Sequence, residues 1–392
     1  MIDSCTGLAF ELTDEQRLLR ETVHDFVERE CPKPVAREVE ASGRFPQELA
    51  RRIAAAGLNG IGIPERYGGQ GGDIIDQVIV CEELSRSLAG LAWIWGIPVW
   101  SGAKAVIHHG SEEQRQAVLP GVADGSTRFA FALTEPGGGT DVLRAMRTRA
   151  HRVDGGWVLR GNKIWSTMSD VAGLIQVLAR TSEGERAHHG LSMFLVAGDA
   201  PGLTATPIPK IGMRALHSCE LAFEDVFVPD EMLLGEEGSG WRQVLTSLNS
   251  ERIMTAAMCT GILRGVLEDA ILYAQQREAF GKPIGAMQAI QHGIADIKMN
   301  LETAWLHTYR AAWLERAGRP CGVEAATAKV LASEHAVAAA DYGIQVLGGY
   351  GYSEETDMQR YWRDARLYRI GPISSEMARN FIGESLGLPR SF

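Results

Sequence analysis

Hydrophobic spacing divides the chain into three regimes. Up to about residue 125 the apolar positions recur at helical steps. The capping-box pattern Thr13-Asp14-Glu15-Gln16 is followed by Leu19, Val23 and Phe26. Phe45-Pro46 opens a second helix with Leu49, Ile53 and Leu58 inward, residues 57–72 break the pattern as a Gly- and Pro-rich loop, and a third helix follows around 76–89. Between 126 and 235 the pattern shortens. Runs at 156–165, 174–179, 191–196 and 220–228 alternate or are apolar throughout, with glycine or polar turns between them, which predicts a small β domain of sandwich or barrel type. From Gly240 onward long alanine-rich helices return. Ile290, Ile294, Ile297, Leu301 and Ala304 form the stripe of a bundle helix. The expected class is α+β, with a helical domain at 1–125, a β domain at 126–235 and a helical bundle at 236–392.

One stretch fits no regime. Residues 91–100, LAWIWGIPVW, hold Trp93, Trp95 and Trp100. Two readings stand: core packing at a domain boundary, or an apolar wall, with Trp95 in it, against a bound apolar group.

Composition narrows the function classes. The 392 residues include 45% hydrophobic and 22% charged positions, ordinary for a globular protein with a large core. A net charge of −10 disfavours a general nucleic-acid or membrane-surface role, and no apolar run reaches the length of a membrane span. Cys5, Cys31, Cys81, Cys219, Cys259 and Cys321 are scattered without CxxC or zinc spacing, so reduced thiols, no metal site and a cytoplasmic location are expected. The amino terminus shows no export signal. Neither GxGxxG opening a helix nor GxxxxGK[ST] is present, which excludes the common nicotinamide and P-loop signatures.

The most informative chemistry lies at 129–141, FAFALTEPGGGTD. A buried strand breaks into Thr134-Glu135-Pro136 and three glycines, whose bare backbone lets N–H groups approach a flat or anionic ligand. Taken alone it also reads as an ordinary glycine-rich turn. About 25 residues on comes Gly161-Asn162-Lys163-Ile164-Trp165-Ser166-Thr167. The pair resembles the flavin-binding signature of the acyl-CoA dehydrogenase family, with Gly138, Thr140 and Ser166 as mild departures. Four later stretches resemble the same family: Lys210-Ile211-Gly212-Met213-Arg214, Phe223 to Pro229, Arg277 to Lys282, and Gln345 to Gly351. The resemblance spans the chain and implies a four-helix bundle at its end.

It also implies FAD. Phe131, Leu133, Thr134, Gly139 and Thr140 would line the flavin, with Thr140 also near the CoA arm, while Trp165, Ser166 and Thr167 would cover the isoalloxazine. Arg277, Phe280, Gln345, Gly348 and Gly349 would receive the pyrophosphate and adenosine end from a neighbouring subunit, which implies a homodimer or homotetramer. Asn249 and Arg252 match positions against the thioester and pantetheine.

Oxidising an acyl thioester to its 2,3-enoyl form requires a carboxylate base for the α-proton, donors for the thioester oxygen and a dry slot. On the helix beginning near Gly240 the inward stripe Trp241, Val244, Leu248 continues onto Glu251 and Arg252, then Thr255 and Cys259. Charges on such a stripe are costly unless paired or functional, so Glu251 is either half of a structural ion pair or the base. Leu248-Asn249-Ser250-Glu251-Arg252 resembles the isovaleryl-CoA dehydrogenase branch, which carries the base on this helix. The tail, with residues 364–371 resembling that branch and Pro372 where other branches have their glutamate, agrees; the proline also departs from the family, having no N–H to offer the thioester oxygen. Glu376 is the competing carboxylate.

The resemblance implies an acyl-CoA dehydrogenase passing electrons to an electron-transferring flavoprotein. Alternatives on the same scaffold are an acyl-carrier-protein-linked dehydrogenase, an enoyl-thioester reductase, an oxygen-using oxidase or monooxygenase, and a weakly catalytic flavin-bound relative of the alkylated-DNA response.

Overall fold

The computed structural model describes residues 11–390, which form two compact units. Cys5 lies outside the described residues. The chain passes between the units four times, within helices α2 (Lys33–Ser42), α5 (Ala89–Gly96) and α9 (Gly240–Gln276) and between Gly72 and Asp73.

The first unit, which among the described residues comprises 11–38, 73–92 and 249–390, is helical. It holds α1 (Asp14–Glu30), α4 (Ile74–Ser87), most of α9, α10 (Gln288–Arg316), α11 (Gly322–Leu347), α12 (Met358–Leu367) and α13 (Ser375–Ser385). Thr13 and Gln16 make the expected reciprocal capping box, and Val23, Phe26 and Val27 carry the buried face of α1. Helix α4 begins at an Asp73 cap and is buried around nearly its whole circumference. Its charges are therefore paired inside the unit: Glu83 faces Arg264, Arg20 and His24, and Arg86 bridges Glu28 and Glu268. Close approach of α9 to α4 depends on Gly261, where a Cβ would stand 2.2 Å from the Glu82 carbonyl oxygen. Small residues do the same for α11, whose Ala325, Ala328, Ala332, Ala336 and Ala339 are all buried.

The second unit, residues 39–72 and 93–248, is built on one mixed sheet. Helices α3 (Gln47–Ala55), α6 (Lys104–His109) and α7 (Glu112–Ala123) precede it, and the short α8 (Val142–Ala145) lies between its first two strands. The strands are β1 (Phe129–Ala132), β2 (Arg149–Val153), β3 (Gly156–Thr167), β4 (Leu174–Arg180), β5 (Leu191–Ala197), β6 (Leu203–Pro207), β7 (Ser218–Pro229) and β8 (Leu233–Leu234). Their order is β6-β7-β3-β2-β4-β5-β8, with β1 added parallel to β4 in the register Phe129 to Leu174. Trp157 and Phe194 meet edge to face at 5.5 Å in its core, beside Ile175, Val177, Leu221 and Val226. Among the described residues no helix is long and apolar enough to cross a membrane.

The tryptophan-rich stretch resolves into α5 and a π-helical turn, Ile97–Ala103. Trp95 is fully buried and its indole N–H donates to the Leu58 carbonyl at 2.8 Å. This corrects the expectation that Trp95 lines a ligand pocket: with its ring covered and its one donor satisfied, it is a core residue. Trp93, edge-on to Trp100 at 5.9 Å, is the ring of the three that keeps partial exposure.

Candidate active site

Two sets of expected site residues are described, one on each unit. On the sheet unit, β1 runs out into the loop holding Thr134 to Thr140. Phe131, Leu133 and Thr134 are half-buried, while Gly139 and Thr140 are exposed. Gly137 and Gly139 take positive φ values of 79° and 42°, and a Cβ at either would meet open space. The bare loop thus combines conformations that favour glycine with room for a ligand against its backbone.

Strand β3 supplies the other half. Its register against β7 shifts between Lys163 and Ser166, and Trp165 sits there with φ 62°. The irregularity breaks the in-out alternation and turns the indole outward, leaving it 56% exposed. A large aromatic held in a strained conformation with an uncovered face suits stacking against a flat ring system. Thr167 is partly exposed, its hydroxyl 3.2 Å from Ser218 Oγ. Ser166 is a correction. It is buried, its hydroxyl donates to the Phe131 carbonyl at 2.9 Å and accepts from Ser169 at 2.6 Å, so it ties β3 to β1 rather than offering its side chain to a flavin.

Two residues that the site reading passed over complete this half. Lys163 and Glu135 form a buried ion pair at 2.9 Å. Burial opposes both charges. At Glu135 the Lys163 ammonium and the Thr148 N–H outweigh it and the pKa falls, whereas at Lys163 burial prevails over Glu135 and the pKa drops to about 8. The pair is ionised at neutral pH, with the ammonium its weaker member. The signal in the sequence is a lysine on the side of the strand that also carries the buried Trp157 and Leu159.

On the helical unit, Glu251 lies on α9, half-buried; its backbone carbonyl accepts from the Thr255 hydroxyl at 2.8 Å, but its carboxylate makes no hydrogen bond or ion pair to any described residue. Burial raises its pKa to about 7, against the opposing pull of Arg252. Arg252 is buried too. Its guanidinium lies 4.9 Å from the Phe381 ring centroid and makes a long hydrogen bond, 3.5 Å, to Asn249 Oδ1. The ion-pair reading would require contact between the two side chains, and no such contact is present among the described residues. Glu376 has the opposite environment. It is exposed in the first turn of α13, and its own backbone N–H and Ser374 hold its pKa low.

The same unit carries an open groove of about 560 Å³, lined by Arg277, Gly348 and Gly349 together with Tyr273, Ile284 and Tyr350. It collects three of the five residues expected at a nucleotide end. Phe280 stands 95% exposed in the tight hairpin of β9 (Glu278–Ala279) and β10 (Lys282–Pro283), outside this lining, and Gln345 is exposed near the end of α11. A second groove, about 450 Å³ and on the sheet unit, is lined by His188, His189, Trp241 and Arg242. Its arginine and indole suit a phosphate beside a purine. Each set by itself fits one part of a flavin dinucleotide: the open glycine loop and exposed indole suit the ring, and the arginine-bearing groove suits the nucleotide. No cluster of metal-ligating side chains occurs among the described residues, and the five described cysteines are buried and joined in no disulfide.

Comparisons with known proteins bear on the family and the fold. The family models for the acyl-CoA dehydrogenase N-terminal, middle and C-terminal domains match residues 13–126, 130–226 and 238–387. The chain is 35% identical to the short-chain specific acyl-CoA dehydrogenase of Megasphaera elsdenii, over 96% of this chain and 99% of that one. Among solved structures, a chain of the electron-transferring flavoprotein structure from Acidaminococcus fermentans superposes with a TM-score of 0.93 at 33% identity, covering 97% of this chain and 99% of that one. The FAD complex of PigA does so at 0.92 and 28%, covering 97% and 100%.

Proposed function

The chain belongs to the acyl-CoA dehydrogenase family, and from that premise we propose that it removes the α and β hydrogens of an acyl-CoA thioester with Glu251 as the base. It is an FAD-dependent oxidoreductase acting on acyl-CoA. The observation that carries the assignment is the unpartnered carboxylate of Glu251, whose pKa of about 7 matches the pH at which it must accept a proton.

Bound FAD supplies the hydride acceptor. The chain's own residues supply the rest. Glu251 takes the α-proton and becomes a neutral acid as the β-hydride leaves and the double bond forms. Arg252 opposes the effect of burial at Glu251 without overcoming it, so near neutral pH part of the resting protein carries the free carboxylate. Thr134, Gly139 and Thr140 offer backbone and hydroxyl groups along the flavin, with Trp165 and Thr167 beside it. Arg277, Gly348 and Gly349 hold the pyrophosphate and adenosine. The groove of His188, His189, Trp241 and Arg242 takes the nucleotide end of CoA. A base on α9 favours the isovaleryl-CoA dehydrogenase-like branch, and the low pKa of exposed Glu376 supports the same choice. Exposed Leu272, Phe280, Met299 and Leu306 on the helical unit support assembly into dimers or tetramers. Electrons would leave to an electron-transferring flavoprotein.

Anaerobic mixing of the purified holoenzyme with straight-chain and branched CoA thioesters tests this reading. Bleaching of the flavin absorbance by at least one of them is expected. No bleaching by any of them, together with rapid oxygen consumption on another substrate, would replace the dehydrogenase reading with an oxidase.

A further inference from the structure

Strand β3 grips the segment leaving β1 at four points. Ser166 Oγ donates to the Phe131 carbonyl at 2.9 Å, the Ile164 N–H donates to the Thr134 carbonyl at 2.9 Å, and Lys163 Nζ donates to the Leu133 carbonyl at 3.1 Å and to Glu135 Oε1 at 2.9 Å. Glu135 in turn closes the far end of the loop. Its Oε2 accepts the Arg147 N–H at 2.6 Å and its Oε1 the Thr148 N–H at 3.0 Å. Between those anchors lie Pro136, the three glycines and Thr140, and the turn inside starts with the Gly138 N–H on the Glu135 carbonyl at 2.8 Å.

A buried ion pair is a weak device for stability alone, because well-packed apolar residues of the same volume often serve as well or better. Here the pair does something apolar residues cannot. One ammonium, fully enclosed and touching Met146 Sδ at 3.0 Å, fixes both a backbone carbonyl and a carboxylate that pins two amides 12 and 13 residues further on. Lys163 also stands two residues before Trp165, at the start of the register shift that exposes the indole. The clip therefore sets the shape of the glycine loop and the stem of the aromatic together.

We propose that Lys163, acting through Glu135, is a positioning residue for the flavin: it holds the Gly137–Thr140 backbone and the Trp165 stem in the spacing the isoalloxazine requires. This rests on the reading of that loop as the flavin site.

The test compares wild-type holoenzyme with Lys163→Met/Glu135→Gln, which keeps an oxygen acceptor for the loop amides and puts a thioether beside Met146. Three quantities are read: FAD dissociation from fluorescence of released flavin, the shape of the long-wavelength flavin absorption band, and thermal unfolding. The double variant should melt within a few degrees of wild type, bind FAD at least about tenfold more weakly, and show a broadened band. Lys163→Arg, which keeps the charge, should recover most of the affinity and the band shape. Unchanged affinity and band in the folded double variant would overturn the proposal. So would a loss of affinity matched by an equal loss of fold that Lys163→Arg does not repair. Should the double variant not accumulate, Glu135→Gln alone decides by the same three readings. A wild-type protein that purifies without FAD and takes none up would instead refute the underlying flavin reading.

Discussion

Replacing Glu251 by Gln removes one ionisable group from a place where ionisation is costly, and the cost has a definite pH signature. Its pKa stands at about 7 in the folded chain against an ordinary 4.5. At about 1.4 kcal/mol for each tenfold change, that difference corresponds to roughly 3 kcal/mol. Partial solvent contact of the side chain screens the charge and brings the figure to about 2 kcal/mol. The sign follows from where the proton is held. Below about pH 4.5 both folded and unfolded chains carry it and the group is neutral in its effect. Between about 4.5 and 7 the unfolded chain gives it up first, so folded stability is progressively lost as pH rises. Above about 7 the full cost is present. Glu251→Gln should therefore melt close to wild type near pH 4.5 and above it near pH 8. With an unfolding entropy of about 2.1 cal/mol/K per residue over 392 residues, about 2 kcal/mol amounts to a gain of roughly 2–3 °C. The assay is thermal unfolding of substrate-free holoenzyme by circular dichroism across that pH range. Parallel curves for the two proteins, or a wild type that is the more stable at high pH, would refute the placement of Glu251 in a desolvated site.

Other expectations are narrower. Arg252→Gln removes the charge that opposes burial at Glu251, so the pH at which acyl-CoA bleaches the flavin should rise, read from the pH dependence of the anaerobic rate. Phe381→Leu, which takes away the ring beneath the guanidinium, should move it the same way by less. Gly96→Ala would place a methyl 1.9 Å from the Trp100 ring and should cost about 1–3 kcal/mol, seen as a lowered melting temperature. Thr13→Ala removes one side of the α1 capping box and should cost about 1 kcal/mol without altering flavin absorbance.

Much of the fold was legible because local chemistry and burial agree. The Thr13 to Gln16 box, the inward Leu49, Ile53 and Leu58, the stripe on α10 and the glycine ending α11 each announce an element through residues a few positions apart. Helix α2 was passed over because its ten residues carry a weak apolar face between two polar stretches. Residues 91–100 were ambiguous for a different reason. A segment apolar on every side has no period to read, and only the structure puts the Trp95 N–H on Leu58. Glu251 could be found because a charge interrupts an apolar stripe on its own helix. The roles of Ser166, Lys163 and Glu135 are not legible locally, because their partners lie 28 to 35 residues away in sequence and are joined to them only when β3 settles against β1. Local spacing finds an exposed functional group more readily than one whose work is done by a distant hydrogen bond.

The choice of base remains the hinge of the chemistry, and one comparison addresses it. Glu251→Gln and Glu376→Gln, each loaded with FAD, are mixed anaerobically with the thioester that best bleaches the wild type. Flavin reduction slowed by roughly 10²–10⁴ in Glu251→Gln and close to wild type in Glu376→Gln is the predicted result. The reverse pattern would move proton abstraction to the C-terminal helix and contradict the assignment made here.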